Sequence, residues 1–598
     1  MKSFLDWLDN RTGLRQLTHE ALFENVPGGS RWRYVWGSTL TFAFCVQIIT
    51  GIFLWMGYSP SSQTAWESVY YIQNEMTLGW MLRGLHHYTA QAMIILLALH
   101  LMQVLIDGAY KAPREVNFWF GMVLLLITLG LSLTGYLLPW DQKGYWATTV
   151  VTNLVSVVPV VGPSLQRLVV GGENFGHHTL TRFFALHAGV LPSLMVLLIV
   201  AHVALFRRHG LTAKEPRRGP DVAFWPDQVL KDAVACLAVL VAVLFFVLYY
   251  HGGELGAPAD PSEPYSAARP EWYFLFLFQF LKYFPGTTEI WGALFIPGLV
   301  MAVFFAMPFI GRWKLGHRFN LGFSFALLAG AVLLTYLAVN ADQKNIIYRN
   351  AVADAQRSSE RVVELANSPT GIPPTGAANL LHDDAFIQGP RLFAQNCASC
   401  HRYGGTDGLG VIPKGPQAAS DLKGFASREW LTGLLNPAQV SSPHYFGTTA
   451  FKDGKMVKFV KDDIATYSAD EKAALVKVIA AVSAEARLPA QKTVDARDAP
   501  LITEGRKLIG TQISCTDCHH FQDAVSDFTA PDLAGYGSRE WLTSFLTDPS
   551  QPRFYGTRND HMPAFGKSGM LDPHAIGLIV DWLRGDWYVA APAVAPAK

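Results

Sequence analysis

The sequence predicts an all-α protein: a bundle of seven membrane-spanning helices followed by two small helical domains. Two observations carry that expectation. Residues 1 to about 340 contain seven nearly uncharged apolar runs, each as long as the roughly 20 residues that cross about 30 Å of hydrocarbon. Residues 345–598 are polar, rich in Gly and Pro, and internally repeated. The mean of 50% hydrophobic residues and the net charge of +1 average over two unlike halves of the 598-residue chain. Nothing in that balance argues for nucleic acid, because Lys and Arg fall between the apolar runs rather than along one helical face.

The runs lie near 33–56, 80–106, 116–138, 183–206, 229–250, 290–310 and 319–340. Loops after the second, fourth and sixth carry Lys111 and Arg114, then Arg207, Arg208, Lys214, Arg217 and Arg218, then Arg312, Lys314 and Arg318. The bias of basic residues toward the cytoplasm places those loops and the N-terminus inside, and everything after Val339 outside. Met1 to Ser30 is polar and amphipathic, so no cleavable signal is expected and the first run directs insertion.

Ionisable side chains in hydrocarbon are costly, about 2.5 to 3.5 kcal/mol for a charge at mid-helix, which makes histidines within spans functional candidates. His86 and His100 are fourteen apart on the second span; His187 and His202 are fifteen apart on the fourth. At 100° per residue each pair returns to nearly one face, with a rise of roughly 21 Å between its members. Antiparallel neighbours then set His86 opposite His187 and His100 opposite His202, each pair clamping the iron of one haem b. The alternative is four unrelated buried histidines satisfied by carbonyls. His87 points away from the stripe and is left without a metal. Gly37 and Gly51 on the first span, and Gly121 and Gly135 on the third, repeat the fourteen-residue spacing, and without a Cβ they would let a porphyrin approach. Close helix packing is the competing role. Arg83 and Arg182, three and five residues before a histidine, are candidates to pair with haem propionates, or else snorkelling anchors.

Residues 1–340 resemble cytochrome b of the bc1/b6f family through Arg83-Gly-Leu-His86, Thr179-Leu-Thr-Arg-Phe-Phe184 followed by His187, Pro139-Trp-Asp-Gln142 with Gly144-Tyr-Trp146, and Pro270-Glu-Trp-Tyr273. The first four spans look most like the chloroplast-type protein and the last three like its usually separate small subunit, here fused. The resemblance divides this half into a four-helix haem-binding region, 1–225, and a three-helix region, 226–344. It implies that Glu271 takes a proton from quinol at an outer oxidation site, with Tyr136 and Tyr145 beside it. It implies that Lys231 and Asp232 supply protons to quinone at an inner site, where a solvated helix start is the competing reading. The extra haem of the chloroplast-type protein hangs from a Cys after a Tyr; Val35 follows Tyr34 here, so that haem is not expected. Cys45 and Cys236 read as plain buried thiols.

Four of the six cysteines form Cys397-Ala-Ser-Cys400-His401 and Cys515-Thr-Asp-Cys518-His519. Cys-x-x-Cys-His attaches c-type haem: two thioethers fix the porphyrin and the histidine ligates iron. Zinc or a thioredoxin-like dithiol are the alternatives. Ser427-Arg-Glu-Trp-Leu-Thr432 recurs as Ser538-Arg-Glu-Trp-Leu-Thr543, and Tyr445-Phe-Gly-Thr448 is echoed by Phe554-Tyr-Gly-Thr557, so each motif belongs to one copy of a repeat. The expected units are cytochrome c domains over 381–490 and 491–590, a tether over 345–380 and a disordered tail over 591–598. Met456, with His444 as rival, is the expected second axial ligand in the first unit. Met562, in His561-Met-Pro-Ala-Phe565, takes that place in the second, with Met570 and His574 as weaker rivals.

The expected function is that of a cytochrome b/c fusion subunit of a quinol:cytochrome c oxidoreductase in a bacterial cytoplasmic membrane. It would carry two haem b and two covalent haem c and run a Q cycle with proton translocation. Expected partners are a Rieske iron–sulfur protein, whose ligands this chain lacks, other subunits of the complex, an acceptor such as cytochrome c or a cupredoxin, lipid, and a second copy of the chain. A haem b anchor for another quinone-linked dehydrogenase, or a haem-based sensor, are the alternatives. The anchor leaves Pro270 to Tyr273 unexplained, and the sensor requires an open iron position.

Overall fold

The computed structural model describes residues 2–212, 219–522, 529–559 and 561–590. Lys214, Arg217 and Arg218, and the tail 591–598, lie outside the described residues. Seven of the described helices are long and apolar enough to cross a membrane: α1 (Trp36–Gly57), α2 (Gly79–Asp107), α3 (Glu115–Tyr136), α4 (His177–His209), α5 (Asp227–Tyr249), α6 (Gly286–Ile310) and α7 (Gly316–Lys344). Each coincides with an apolar run of the sequence. The chain is mostly helical, and its first half is a helical membrane bundle.

The chain divides into two compact units, Met1–Val363 with Ile372–Ala378, and Glu364–Gly371 with Asn379–Lys598. In the first, α1 packs on α2, α3 on α4, and α5 on α2. Ala43 and Phe44 of α1, Met93 and Leu96 of α2, Ile127 of α3 and Met195 of α4 form a buried apolar layer at the centre of this four-helix group. A two-residue antiparallel pair, β1 (Asn25–Val26) with β2 (Val222–Ala223), ties the N-terminal segment to the approach to α5. Cys45 is exposed at the surface of the bundle rather than buried, because that side of α1 has no neighbouring helix over it, and Cys236 is half-buried.

One irregularity in α4 matters. Residues Ala185–Val190 form a π turn, and Pro192 follows directly. Proline has no N–H to give the carbonyl four residues earlier, and a π turn absorbs one extra residue without breaking the helix. Fifteen residues on α4 therefore span the rotation that fourteen span on α2, which brings the His187/His202 spacing into register with His86/His100.

The expected tether begins instead as a 21-residue helix, Ile346–Ala366. No Gly or Pro occurs between 345 and 368, and the punctuating residues start only at Pro369.

The second unit is built from α8 (Ala385–Asn396), α9 (Arg428–Leu434), α10 (Ala469–Glu485), α11 (Ala499–Leu508), α12 (Arg539–Thr547) and α13 (Pro573–Arg584). The sequence repeat is a structural repeat. Ser427 and Ser538 cap α9 and α12 by accepting from Trp430 N and Trp541 N at 3.1 Å each. The two indoles donate to the carbonyls of Asp421 and Asp532, at 3.2 and 2.9 Å. The helices do not, however, pack as consecutive domains over 381–490 and 491–590. The short connection from Ala486 to Asp498 folds α10 back on α11, and α8 packs on α13. Glycines permit both crossings: a Cβ on Gly389 of α8 would lie 2.2 Å from Trp582 Cβ of α13, and one on Gly505 of α11 would lie 2.0 Å from the Lys477 carbonyl oxygen of α10.

Candidate functional site: two histidine pairs and an outer cavity

The rings of His86 on α2 and His187 on α4 face each other with centroids 6.2 Å apart. An imidazole nitrogen bonds a metal at about 2 Å, and the centroid lies about 1 Å behind it, so an iron held between opposed imidazoles sets the centroids roughly 6 Å apart. The separation fits a bis-histidine site. The other ring nitrogens are already engaged. His187 Nδ1 donates to the Leu131 carbonyl at 3.0 Å, and His202 Nδ1 to the Asn117 carbonyl at 3.0 Å. Thr50 spends its hydroxyl proton on the Val46 carbonyl at 2.7 Å, so at 2.9 Å from His86 Nδ1 it accepts. All three partners leave Nε2 free for a metal, the arrangement that metal-ligating histidines adopt. His100 differs: its Nδ1 is buried without a partner.

Each of the four spaced glycines lies against one of these rings. A Cβ would sit 3.3 Å from His86 Cε1 at Gly51, 2.5 Å from His187 Cε1 at Gly135, 3.6 Å from His100 Cε1 at Gly37 and 3.4 Å from His202 Cε1 at Gly121. The glycine spacing thus copies the histidine spacing because α1 backs α2 and α3 backs α4 at two levels.

The outer pair opens into a cavity of about 350 Å³. Its wall combines His86, His187, Gly51 and Gly135 with Tyr136, Glu271 and Tyr273, adds His87 and Asp141, to which the sequence reading gave no role, and adds Gln91, Lys143 and Glu254, which it did not single out. Lys143 Nζ lies 3.5 Å from Glu271 Oε1 and 3.4 Å from Glu254 Oε2. Burial works against the ammonium, but Glu271, Glu254 and Asp141 outweigh it and raise Lys143 above its ordinary range, so it stays charged. Asp141 caps the helix Gln142–Ser156 and accepts from Gly144 N at 2.8 Å and Gly256 N at 3.0 Å. Burial raises its proton affinity, opposed by those two amides. Tyr273 and Ser132 share a hydroxyl contact, and Trp272 Nε1 donates to Gln91 Oε1 at 3.2 Å. His87, which points away from the iron stripe, is 2.8 Å from Gln91 Nε2.

Sequence comparison agrees with this architecture. Residues 24–210 match the family described as Cytochrome b/b6/petB, and residues 258–355 match Cytochrome b(C-terminal)/b6/petD. Cytochrome b of Rhodobacter capsulatus is 33% identical over 312 residues, covering 50% of this chain and 70% of that protein. The menaquinol:cytochrome c reductase cytochrome b subunit of Geobacillus thermodenitrificans is 39% identical over 220 residues, 36% of this chain and 98% of that subunit. Cytochrome b6 of a Synechococcus is 37% identical over 212 residues, 36% of this chain and 99% of that protein.

The chain belongs to the cytochrome b family. Haem b follows from that membership. Two residues expected beside the haem propionates have partners within the protein. Arg83 donates to Gln73 Oε1 at 3.0 Å and to the carbonyls of Gly253 and Glu254, and so ties the loop after α5 to α2. Arg182 donates to the Leu168 carbonyl. Tyr145 packs among Trp140, Trp146 and Phe175, apart from the residues lining the cavity, whereas Tyr136 is in its wall. On α5, Lys231 donates to Ser30 Oγ and its carbonyl at 2.7 and 2.9 Å, while Asp232 accepts from Ser38 and Gln228 at 2.8 Å each. Ser38 adjoins Gly37, which places Asp232 on the His100 side of the bundle.

Residues 356–598 fall outside both family matches. There, His401 Nδ1 donates to the Ser420 carbonyl at 2.8 Å and His519 Nδ1 to the Pro531 carbonyl at 2.7 Å, again leaving Nε2 free. Burial pushes the Cys397 and Cys515 thiols up to about 12, the opposite of a reactive dithiol. Among the described residues, neither Cys-Cys-His set gathers its donor atoms closely enough to share one zinc ion.

Proposed function

We propose that this chain is the cytochrome b/c fusion subunit of a proton-translocating quinol:cytochrome c oxidoreductase. The observation that carries the reading is that Glu271, Lys143 and the His86/His187 pair line one cavity. His86 with His187, and His100 with His202, would hold two haem b; the two Cys-x-x-Cys-His segments would hold two haem c. Haem bound at those residues supplies one-electron donors and acceptors. The chain's own residues handle the proton. A quinol in the outer cavity would give up one electron with one proton to the Rieske partner and the other electron to haem b held at His86 and His187, while Glu271 accepts the remaining proton as the second hydroxyl ionises. Lys143, held charged by the surrounding carboxylates, lies 3.5 Å from Glu271 and keeps that carboxylate turned into the cavity. Tyr136 and Tyr273 border the bound ring. At the inner end, Asp232 and Lys231 serve quinone reduction.

The bias of basic residues in the loops supports a cytoplasmic N-terminus and an external c-type region, in a bacterial cytoplasmic membrane. A Rieske iron–sulfur protein takes the first electron. Other complex subunits, lipid, a soluble or membrane acceptor of the cytochrome c or cupredoxin type, and a second copy of the chain complete the assembly.

Glu271→Gln tests the reading, because the amide keeps the shape and cannot take the proton. Quinol-driven reduction of both haem types should fall roughly 100-fold or more, with static spectra unchanged. Unchanged turnover at limiting quinol, with full haem content and the Rieske partner present, would overturn it.

A further inference from the structure

We propose that each c-type haem is shared between the two repeats: the haem attached at Cys397 and Cys400 takes its second axial ligand from Met562, and the haem attached at Cys515 and Cys518 takes it from Met456. The inference rests on the reading of both Cys-x-x-Cys-His segments as haem attachment sites. It reverses the assignment that follows from sequence order.

The packing of the second unit carries it. Met456 and Cys515 belong to different repeats, yet both pack against one buried cluster that mixes Trp430, Val460 and Val478 of the first repeat with Ile509 and Ile513 of the second. The other half mirrors this. Met562 and Leu392 pack together against the cluster of Trp541, Ile576 and Ile579, and Leu392 is also part of the packing around Cys397. Phe393 and Tyr403, which flank the first attachment site, pack at a tilt against Trp582 of α13 with centroids 5.3 and 4.3 Å away. Thus α8 with the first attachment segment is completed by the second repeat's methionine half, and α11 with the second attachment segment by the first repeat's.

A symmetry argument supports the exchange. In a two-fold contact, a residue at the axis meets its own equivalent. Phe425 and Tyr536 occupy equivalent positions, each two before the capping serine, and their rings lie 5.3 Å apart. The next equivalent pair also meets: a Cβ on Gly537 would lie 2.4 Å from Ala426 Cβ. The pseudo-two-fold axis therefore passes at the point where each repeat leaves its attachment half and enters its methionine half. Buried Arg584 bonds across the same junction, to the carbonyls of Ala486 and Gly537 at 2.6 and 2.7 Å. Two repeats related this way, with halves exchanged, are a domain-swapped pair within one chain.

The test uses the full chain with one attachment site removed. In Cys515→Ser/Cys518→Ser, only the first haem c is attached. Met562→Ala in that background should abolish the methionine–iron signature of the remaining haem and lower its midpoint potential, while Met456→Ala leaves both unchanged. In Cys397→Ser/Cys400→Ser the dependence should be reversed. The opposite pattern, or insensitivity to both methionines, overturns the proposal. A second measurement needs no cysteine change: a protease site is inserted between Pro489 and Asp498, the chain is cut, and the fragments are separated. Exchanged halves lose both methionine–iron signatures on separation; consecutive domains keep them, which would overturn the proposal. Covalent haem staining of the uncut chain reports separately on the attachment reading, and a chain without covalent haem overturns both.

Discussion

The two histidine pairs arise from one repeated spacing, yet the structure treats them differently. The outer pair, His86 and His187, is fully supported: both Nδ1 atoms have partners, both backing glycines are at or inside close contact, and the site opens into a cavity lined by Glu271, Lys143, Glu254 and Asp141. At the inner pair, His100 Nδ1 lacks a partner and the backing glycines stand at ordinary contact distance or just inside it. Similar spacing sets similar pairs, and the surroundings differ: the His86/His187 pair shares its cavity with the carboxylates of Glu271, Glu254 and Asp141, whereas Asp232, held by Ser38 and Gln228, lies on the His100 side.

The largest expected effect tests the tight end of that contrast. Gly135→Val puts carbon 2.5 Å from His187 Cε1 and should remove the outer b component from the reduced-minus-oxidised spectrum, halving extractable haem b while sparing the inner component. Thr50→Val comes next. It keeps the shape but leaves the His86 Nδ1 donor unmet, a loss of about 1 to 3 kcal/mol, read as faster haem loss and a shifted midpoint at the outer site alone. Lys143→Met should cost about 1 kcal/mol, roughly a fivefold fall in quinol oxidation at limiting substrate, with both b spectra intact. Gly37→Ala is the smallest: 3.6 Å is ordinary contact, so both components should persist. Loss of the inner component in that variant would mean that the porphyrin itself fills the gap, and the two ends would then be equally tight.

The spans and the pairing of His86 with His187 were legible because a helix repeats its faces at a fixed angle and hydrocarbon penalises stray polar groups. The π turn was not, since nothing in a count of fifteen shows which residue is absorbed; Pro192 was the available sign. Lys143 was hidden for another reason. It lies far from Glu271 in sequence, and only the fold brings the two within 3.5 Å. Arg83 was expected beside a haem propionate or as a snorkelling anchor; the partners that only the fold reveals are Gln73 and the loop carbonyl at Gly253. In the second unit, the repeat identified equivalent residues such as Phe425 and Tyr536. It could not say which copy of a helix pairs with which, because both copies of each surface are nearly the same.

The apolar layer between the two histidine levels has a consequence of its own. Ala43, Phe44, Met93, Leu96, Ile127 and Met195 lie at this level, and the sequence has no Asp, Glu, Lys, Arg or His between His87 and His100 on α2 or between His187 and His202 on α4. A proton has no foothold there. Negative charge moved through the layer from one level to the other therefore travels unaccompanied, and the move does electrical work against the membrane voltage, about 2.3 kcal/mol for each unit charge per 100 mV if the full potential is crossed. The plain hydrocarbon packing at the middle of the bundle is in that sense the dielectric of a capacitor, with the histidines at its two plates.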